Sequence, residues 1–244
     1  MIATIARLTF RALTGRRRTL LVALLGGLPI LIAVLVRVSG RTSNLDAVAT
    51  VILDRLVIST LVPLVGLVFG TAALGSELED GTAVYLLTKP IARWRIVAAK
   101  AAVAAGLAIA VTAPAAFATG AILGSGSGGM QAALGYTAGA AVAAILYVVI
   151  FMALSLVTGR ALAIGLVYIL VWEGVLAGLF EGTRTFSIRQ YALGVADAIS
   201  GGDGAALGER LAGPTALALA VAALVIALLI AVRRLQGYEI GEAD

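Results

Sequence analysis

The chain has 244 residues, of which 61% are hydrophobic and 13% are charged, and its mean hydropathy is +1.07. Because a soluble domain carries about one quarter charged residues, this composition indicates an integral membrane protein. Cysteine and histidine are both absent, which removes disulfides, thiol nucleophiles, imidazole bases and the usual zinc ligands. We therefore predict no catalytic residue and no metal site on this chain.

A helix needs about 20 apolar residues to cross a bilayer. Six runs in the sequence reach or approach this length: residues 19–36, 56–75, 96–123, 132–158, 162–180 and 214–232. They predict an all-α, polytopic fold, a single transmembrane domain over residues 1–244 with six transmembrane helices. An even number of spans places both termini on one side of the membrane.

The lysine and arginine residues are distributed unequally between the two predicted faces. Most of the 18 lie with the termini, and those on the other face are Arg37, Arg41, Arg55, Arg184, Arg189 and Arg210. The positive-inside rule then makes both termini cytoplasmic, in a multi-pass protein of a bacterial cell membrane. The sequence pI of about 10.0 follows from this topology, so we predict no nucleic-acid partner.

Residues 1–18 have the pattern of an amphipathic helix. One half of the helical wheel is apolar: Ile2, Ile5, Leu8, Phe10 and Leu13. The basic side chains share a narrow arc on the opposite side: Arg7, Arg11 and Arg18. We predict an interfacial helix whose arginines reach lipid phosphates of the inner leaflet. The alternative is a helical start to the first span, flanked by arginines that set the topology.

Two glycine pairs and two prolines mark the packing of the spans. Gly66 with Gly70, and Gly135 with Gly139, form G-x-x-x-G motifs that allow close approach of helix backbones. We predict that both pack within the chain and do not form a dimer seam. A proline removes one backbone donor, so Pro29 in the first span and Pro63 in the second can each kink a helix.

Residues 76–95 form the densest mixed-charge stretch of the chain and lie between two long apolar runs. They must therefore form a connection outside the bilayer. An acidic start, a turn with a helix start at Gly81 and Thr82, and a stop at Pro90 predict a short helix over residues 83–88.

The order of residues in this loop resembles the cytoplasmic loop of ABC transporter permeases of the type-2 exporter class. The likeness is carried by Glu77, Gly81, Thr82, Leu86, Leu87, Pro90, Arg93 and Lys100. A second match is Trp172-Glu173-Gly174 with Ser187-Ile188-Arg189-Gln190-Tyr191, so the likeness spans most of the chain.

The resemblance implies that the loop contains a cytoplasmic coupling helix that docks onto a separate ATPase. The residues assigned to this contact are Glu77, Glu79, Asp80, Gly81, Thr82, Leu86, Leu87, Pro90 and Arg93. Apolar side chains are costly to leave in water, which also favours a covered loop. The alternative is an ordinary solvated connector.

Two ionisable residues are predicted inside the spans. Lys100 lies about one turn inside the cytoplasmic boundary, where its long stem can return the ammonium to the interface. Glu173 lies near the middle of the fifth run, with no cation predicted at a similar depth. It either faces a wet cavity, bonds a neighbouring helix as a neutral acid, or caps a broken helix end. Both a structural role and a role in substrate passage remain open.

The segment 181–213 is the longest one predicted outside the cell. Ser187 and Gln190 match a capping box, and an apolar face follows: Ile188, Tyr191, Ala192, Val195, Ala198 and Ile199. This pattern predicts a short extracellular helix before the last span, lying on the outer leaflet, dipping into it, or covering its own subunit. The tail, residues 233–244, is predicted to be cytoplasmic and becomes acidic after Arg234.

No G-x-x-x-x-G-K-[ST] motif occurs, so the chain cannot bind ATP through a P-loop and is not expected to be an enzyme. The resemblance implies the permease subunit of an ATP-driven exporter that moves a small molecule, a lipid or a peptide. It also implies a P-loop ATPase that binds ATP and Mg²⁺ on a separate chain, a second permease subunit in a homo- or heterodimer, and membrane lipids as partners. No cofactor is predicted on this chain.

Three other functions stay open. A secondary transporter usually shows internal repeats and polar sites at the midplane, and the sequence has no convincing repeat. An intramembrane enzyme would need paired aspartates in the spans, whereas every aspartate is predicted in a loop or a tail. The third function is that of a non-transport scaffold or immunity protein.

Overall fold

The computed structural model describes residues 2–40, 44–79, 92–176, 185–201 and 211–237. Within these ranges the chain is helical and contains no strand, which confirms the predicted all-α fold. The α-helices are α1 Ile2–Leu13, α2 Arg16–Ser39, α3 Leu45–Val51, α4 Val62–Glu79, α5 Arg93–Leu123, α6 Gly126–Ser155, α7 Ala161–Val167, α8 Ile188–Ser200 and α9 Gly213–Gln236. A first π-helix, Ile52–Leu61, joins α3 to α4, and a second, Tyr168–Leu176, continues α7.

Five helices in the described part of the chain are long and apolar enough to cross a membrane. They are Arg18–Ser39, Leu45–Gly75, Arg93–Leu123, Gly128–Ser155 and Gly213–Gln236. The remaining predicted span, residues 162–180, is described as far as Leu176, and its Ala161–Gly174 part is a shorter apolar helix. The count of six spans therefore stays a prediction.

The second span begins earlier than the hydropathy pattern predicts. Asn44 caps α3, because its Oδ1 accepts a hydrogen bond from the backbone N–H of Ala47 at 3.0 Å. The helix then runs without interruption through Asp46 and Asp54, so residues 45–55 are helical and do not form a loop; the side of the membrane on which they lie stays a prediction. Asp197 lies in the helix that was predicted before the last span.

Helix α6 forms the centre of the fold and contacts α4, α5, α8 and α9. The first glycine pair faces α6 directly. A Cβ added at Gly66 would lie 2.5 Å from the Cβ of Tyr147, and one at Gly70 would lie 2.6 Å from the carbonyl oxygen of Val148. The prediction that this motif packs within the chain is confirmed.

The second glycine pair holds α8 against α6. A Cβ at Gly135 would lie 2.4 Å from the carbonyl oxygen of Ala196, and one at Gly139 would lie 2.5 Å from that of Ala192. The higher-numbered glycine contacts the lower-numbered alanine, so α8 runs antiparallel to α6. Its first turn consequently points toward the middle of α6, away from the loop between α5 and α6.

Helix α8 covers the predicted residues, but its surroundings differ from the prediction. Its opposite side meets α9, where a Cβ at Gly194 would lie 2.6 Å from the Cβ of Ala216. Because two helices enclose it, Gln190 and Leu193 are buried as well, whereas Ala198 and Ile199 are exposed. The single apolar face predicted for α8 was therefore wrong.

Candidate functional site

Glu173 lies on the second π-helix and is only 2% exposed. Its carboxylate accepts three hydrogen bonds: from the Ser187 Oγ at 2.6 Å, from the backbone N–H of Ile188 at 3.0 Å, and from the Tyr168 Oη at 3.2 Å. Two of these donors belong to the start of α8. Of the three alternatives for Glu173, the structure shows the cap of a helix end.

The start of α8 is well suited to a carboxylate. Ser187 is the N-cap residue, and its Oγ also accepts a hydrogen bond from the backbone N–H of Gln190 at 3.4 Å. The first N–H groups of a helix lack intrahelical partners and carry the positive end of the helix dipole. The predicted capping box is only half made, because the Oε1 of Gln190 has no partner among the described residues.

A second carboxylate holds the same turn of α8. Asp54, on the first π-helix, is 1% exposed, and its Oδ1 accepts from the Nη2 of Arg189 at 2.9 Å and from the Nε at 3.3 Å. The Arg189 side chain is 13% exposed. Arg189 directly follows Ile188, so a cation does lie near the depth of Glu173, contrary to the prediction. Within the described chain, the Oδ2 of Asp54 has no partner.

Sequence reasoning missed the pair of Asp54 with Arg189, although part of the signal was present. The second match to the family includes Glu173 and the stretch from Ser187 to Tyr191, and the structure brings these two parts together. Asp54 gave no comparable signal, because a charged residue at the edge of an apolar run is typical of a loop. Its partner is 135 positions away in the sequence.

Both buried carboxylates lie on π-helices, which are rare and occur often at functional sites. In the first one, the Ser59 Oγ donates to the carbonyl oxygen of Asp54 at 2.7 Å, and the Thr60 Oγ1 donates to that of Arg55 at 2.9 Å. Pro63 follows this π-helix closely and cannot supply a backbone donor to it. The kink predicted at Pro63 stays a prediction.

An apolar cleft of about 530 Å³ lies beside this cluster, between α6, α7, α8 and α9. Its wall includes Phe151, which stacks on Tyr147 with ring centroids 5.9 Å apart and meets Tyr168 edge-on at 6.2 Å. Tyr168 in turn donates to Glu173. The aromatic residues thus connect the cleft to the cap of α8.

Lys100, on α5, is 1% exposed, and its Nζ donates to the carbonyl oxygen of Ala73 on α4 at 3.0 Å. The ammonium is buried between α5 and α4, and its return to the membrane interface stays a prediction. A carbonyl on the neighbouring helix supplies a hydrogen bond in place of water, which lowers the cost of burying the charge.

Arg93, the first residue of α5, contacts the end of α9. Its Nη1 donates to the carbonyl oxygens of Leu235 and Gln236, the latter at 2.8 Å. The last carbonyls of a helix have no intrahelical partner and carry the negative end of its dipole, so a cation binds there favourably. Arg93 therefore connects the loop end of α5 to the last helix of the chain.

Comparison with known families matches this chain to the model of the ABC-2 family transporter proteins over residues 5–237. The chain belongs to this family. As an ABC-2 permease it is a membrane component of an ABC transporter, and it is not itself catalytic. A search of the curated proteins finds no match.

The structure describes part of the predicted coupling site of this ABC-2 permease. Glu77 and Glu79 lie in the last turn of α4, and Arg93 begins α5. The other predicted members lie outside the described residues: Asp80, Gly81, Thr82, Leu86, Leu87 and Pro90.

The N-terminal helix of the permease is separate from its first span. Gly15 has an extended conformation, with φ of −60° and ψ of 136°, and divides α1 from α2. The buried face of α1 packs on α5 and α4 and contains Ile5, Thr9 and Leu13. Arg7 and Arg11 are exposed, and Arg18 is half-buried on α2. The contact of these arginines with lipid phosphates stays a prediction.

Proposed function

We propose that this chain is the permease subunit of an ATP-driven exporter, powered by a separate P-loop ATPase that binds ATP and Mg²⁺. Membership of the ABC-2 family supports a membrane component of this kind. The observation that carries the coupling part of the proposal is the contact of Arg93 with the end of α9. It links the helix that follows the loop to a helix that is remote in the sequence.

The proposed coupling starts at residues 76–95. Helices α4 and α5 enter and leave this segment, so any displacement of the loop moves them directly. Lys100 joins α5 to α4 almost two turns after Arg93, and Arg93 joins α5 to α9. A push on the loop by an ATPase would therefore reach three helices through covalent bonds and three charge-assisted hydrogen bonds, one from Lys100 and two from Arg93.

The cleft beside α8 favours an apolar or amphipathic cargo. Its lining is almost entirely apolar, with Tyr168 and Tyr191 among the few residues that carry a polar group. Ligand sites of this size usually combine apolar walls with a few polar groups that fix orientation. A small molecule, a lipid or a peptide with apolar side chains would suit such walls.

A second permease subunit belongs to the same proposal. Helices α2 and α9 both present large apolar side chains outward, such as Leu24 and Leu31 on α2 and Leu229 on α9. These surfaces suit lipid or another copy of the permease equally. Pairing would enclose a pathway that a single set of helices does not.

The proposal is tested by replacing Leu86 and Leu87 together with serine. The matched control replaces Leu162 and Leu166 with serine, two exposed apolar residues of α7 that do not line the apolar cleft. We expect the first variant to insert normally but to lose recovery of the ATPase in a pull-down of the tagged permease, and the control to retain it. A pull-down without any ATPase from the unmodified permease would refute the proposed function. Equal recovery from both variants would refute the role of the loop.

A further inference from the structure

The ends of α6 and α9 that are predicted to be cytoplasmic border a second, open cavity next to the apolar cleft. It has a volume of about 690 Å³ and is lined by Leu156, Val157, Ile230, Arg233, Arg234 and Gly237. Val157 and Ile230 line the apolar cleft as well. The two cavities therefore adjoin, and together they extend from two arginines at the end of α9 to the aromatic residues beside Glu173.

The two halves of this site differ in chemistry. The mouth carries the guanidinium groups of Arg233 and Arg234, whereas the inner part is lined by residues such as Ile150, Leu154 and Ile226. Such a division matches a molecule with an anionic head and a hydrocarbon tail. The positive-inside rule places the mouth in the cytoplasmic leaflet, where anionic lipids attract basic residues.

Within the described part of the chain, no hydrogen bond or ion pair engages the guanidinium groups of Arg233 and Arg234. Arg93 donates to the carbonyl oxygens of Leu235 and Gln236, and the N–H of Gly237 bonds the carbonyl of Arg233 at 3.1 Å. These carbonyls are thus already bonded to other donors. Arg233 and Arg234 are both exposed, and the negative end of the helix dipole favours cations at this position.

We infer that this site binds an anionic phospholipid of the cytoplasmic leaflet, with its phosphate on Arg233 and Arg234 and an acyl chain in the apolar cleft. The cleft alone would not select a lipid, because a bilayer offers hydrocarbon of equal apolarity. The guanidinium groups bind the phosphate oxygens, and their charge favours a lipid whose headgroup has no cation of its own to offset the phosphate. This inference does not depend on the exporter function.

The test uses the full chain in lipid nanodiscs, with Ile230 replaced by cysteine and labelled with a fluorophore; the natural chain has no other cysteine. Lipids with brominated acyl chains quench a fluorophore that they touch. We expect brominated phosphatidylglycerol to quench more strongly than brominated phosphatidylcholine at the same mole fraction. Replacing Arg233 and Arg234 with glutamine should lower the apparent affinity for phosphatidylglycerol by about thirtyfold, since each arginine contributes about fivefold.

Two controls separate the inferred site from general surface charge. Replacing Arg37 and Arg55 with glutamine removes the same charge at exposed positions predicted on the other side, and should preserve the preference for phosphatidylglycerol. Replacing Ile226 with tryptophan fills the cleft and should weaken quenching by the acyl chain.

Three results would overturn the inference. Equal quenching by the two lipids, or a preference that persists without Arg233 and Arg234, would show that these arginines do not select the lipid. An unchanged preference in the Ile226→Trp variant would show that no acyl chain occupies the cleft. Absence of quenching by either lipid, in a permease that runs as a dimer, would place a second copy of the chain over the site.

Discussion

Near the start of α5, a lysine and an arginine side chain donate hydrogen bonds to backbone carbonyl oxygens of neighbouring helices. At the start of α8 the arrangement is reversed, because carboxylates on the two π-helices accept hydrogen bonds from residues of α8. Lys100 and Arg93 form the first set of contacts. Asp54 and Glu173 form the second, with Arg189 and the N-terminal end of α8 as their partners.

This difference bears on which helices can move. Every residue of a helix offers a carbonyl, so a flexible lysine or arginine can change its acceptor when the neighbouring helix shifts by a residue. A carboxylate that caps a helix or pairs with a buried arginine has one acceptable position, and breaking such a pair exposes an uncompensated charge. We therefore expect α8 to stay fixed to α6, while α4 and α5 adjust at the ends next to the loop 76–95 and α9 adjusts at the end that Arg93 contacts.

Among the variants that weaken the contacts at the start of α8, Asp54→Leu should lower the stability of the permease most. Arg189 would remain mostly buried without its counterion, which costs about 3–5 kcal/mol of stability. The unfolding temperature of the purified permease in detergent should fall markedly, and less protein should be recovered folded.

The matched variant changes Asp54 to leucine and Arg189 to methionine together. Apolar side chains that replace both partners of a buried ion pair often restore stability, so the double variant should unfold at a higher temperature than Asp54→Leu alone. If the single variant were as stable as the unmodified permease, the pair would not be what holds α8.

Glu173 gives the next largest effect. Glutamine keeps one oxygen that can accept from the backbone N–H of Ile188, so Glu173→Gln should cost about 1 kcal/mol. Leucine leaves this N–H and the Ser187 hydroxyl without their acceptor, so Glu173→Leu should cost about 2–4 kcal/mol. Thermal unfolding of both variants in detergent measures the difference, and Ser187→Ala should fall between them.

The same two variants decide whether ionisation of Glu173 matters beyond structure. If Glu173 has only a structural role, the Glu173→Gln permease should assemble with the proposed ATPase, and that ATPase should hydrolyse ATP at the normal rate. A well-assembled Glu173→Gln permease with a lost or uncoupled ATPase rate would contradict this and would favour a charged group in the transport pathway.

The elements that could be predicted from the sequence are those that depend on neighbouring residues. Ser187 with a helical pattern after it predicted α8, and the spacing of Gly66 and Gly70 predicted a close contact between helices. The residues that join distant parts could not be predicted in this way. Arg93 bonds a carbonyl 143 positions away, and no local pattern names a backbone acceptor.

The burial of charged side chains was the other source of error. Asp54 was predicted outside because its charge interrupts a hydrophobic run, yet the charge is buried where Arg189 compensates it. Hydropathy counts each residue alone, so it assigns the full cost of a charge even when a partner offsets that cost. Lys100 was assigned to the interface for the same reason, whereas its ammonium donates a hydrogen bond to a carbonyl oxygen of α4.

The smallest effect on stability, and the sharpest one on coupling, is expected at Arg93. Its side chain is half-buried and its acceptors can be solvated in its absence, so Arg93→Ala should cost only about 1 kcal/mol of stability. The matched control is Arg95→Ala, which removes an equal charge two positions away, where the guanidinium lies 5.4 Å from the ring centroid of Trp94.

Spin labels at Gln236 and Val157 report the position of α9 relative to α6, and labels at Trp94 and Val157 report that of α5. In the complex with its ATPase, trapped with ATP and vanadate, we expect both distances to change in the unmodified permease and in Arg95→Ala. In Arg93→Ala the distance between the labels at Trp94 and Val157 should still change, because α5 moves with the loop. The distance between the labels at Gln236 and Val157 should stay constant, because α9 is no longer bonded to α5. Arg93→Lys should restore part of the movement, since an ammonium can still donate to one carbonyl at a time. If the distance between Gln236 and Val157 changed in Arg93→Ala as it does in the unmodified permease, Arg93 would not be what moves α9. The helices that move with the loop would then be α4 and α5 alone.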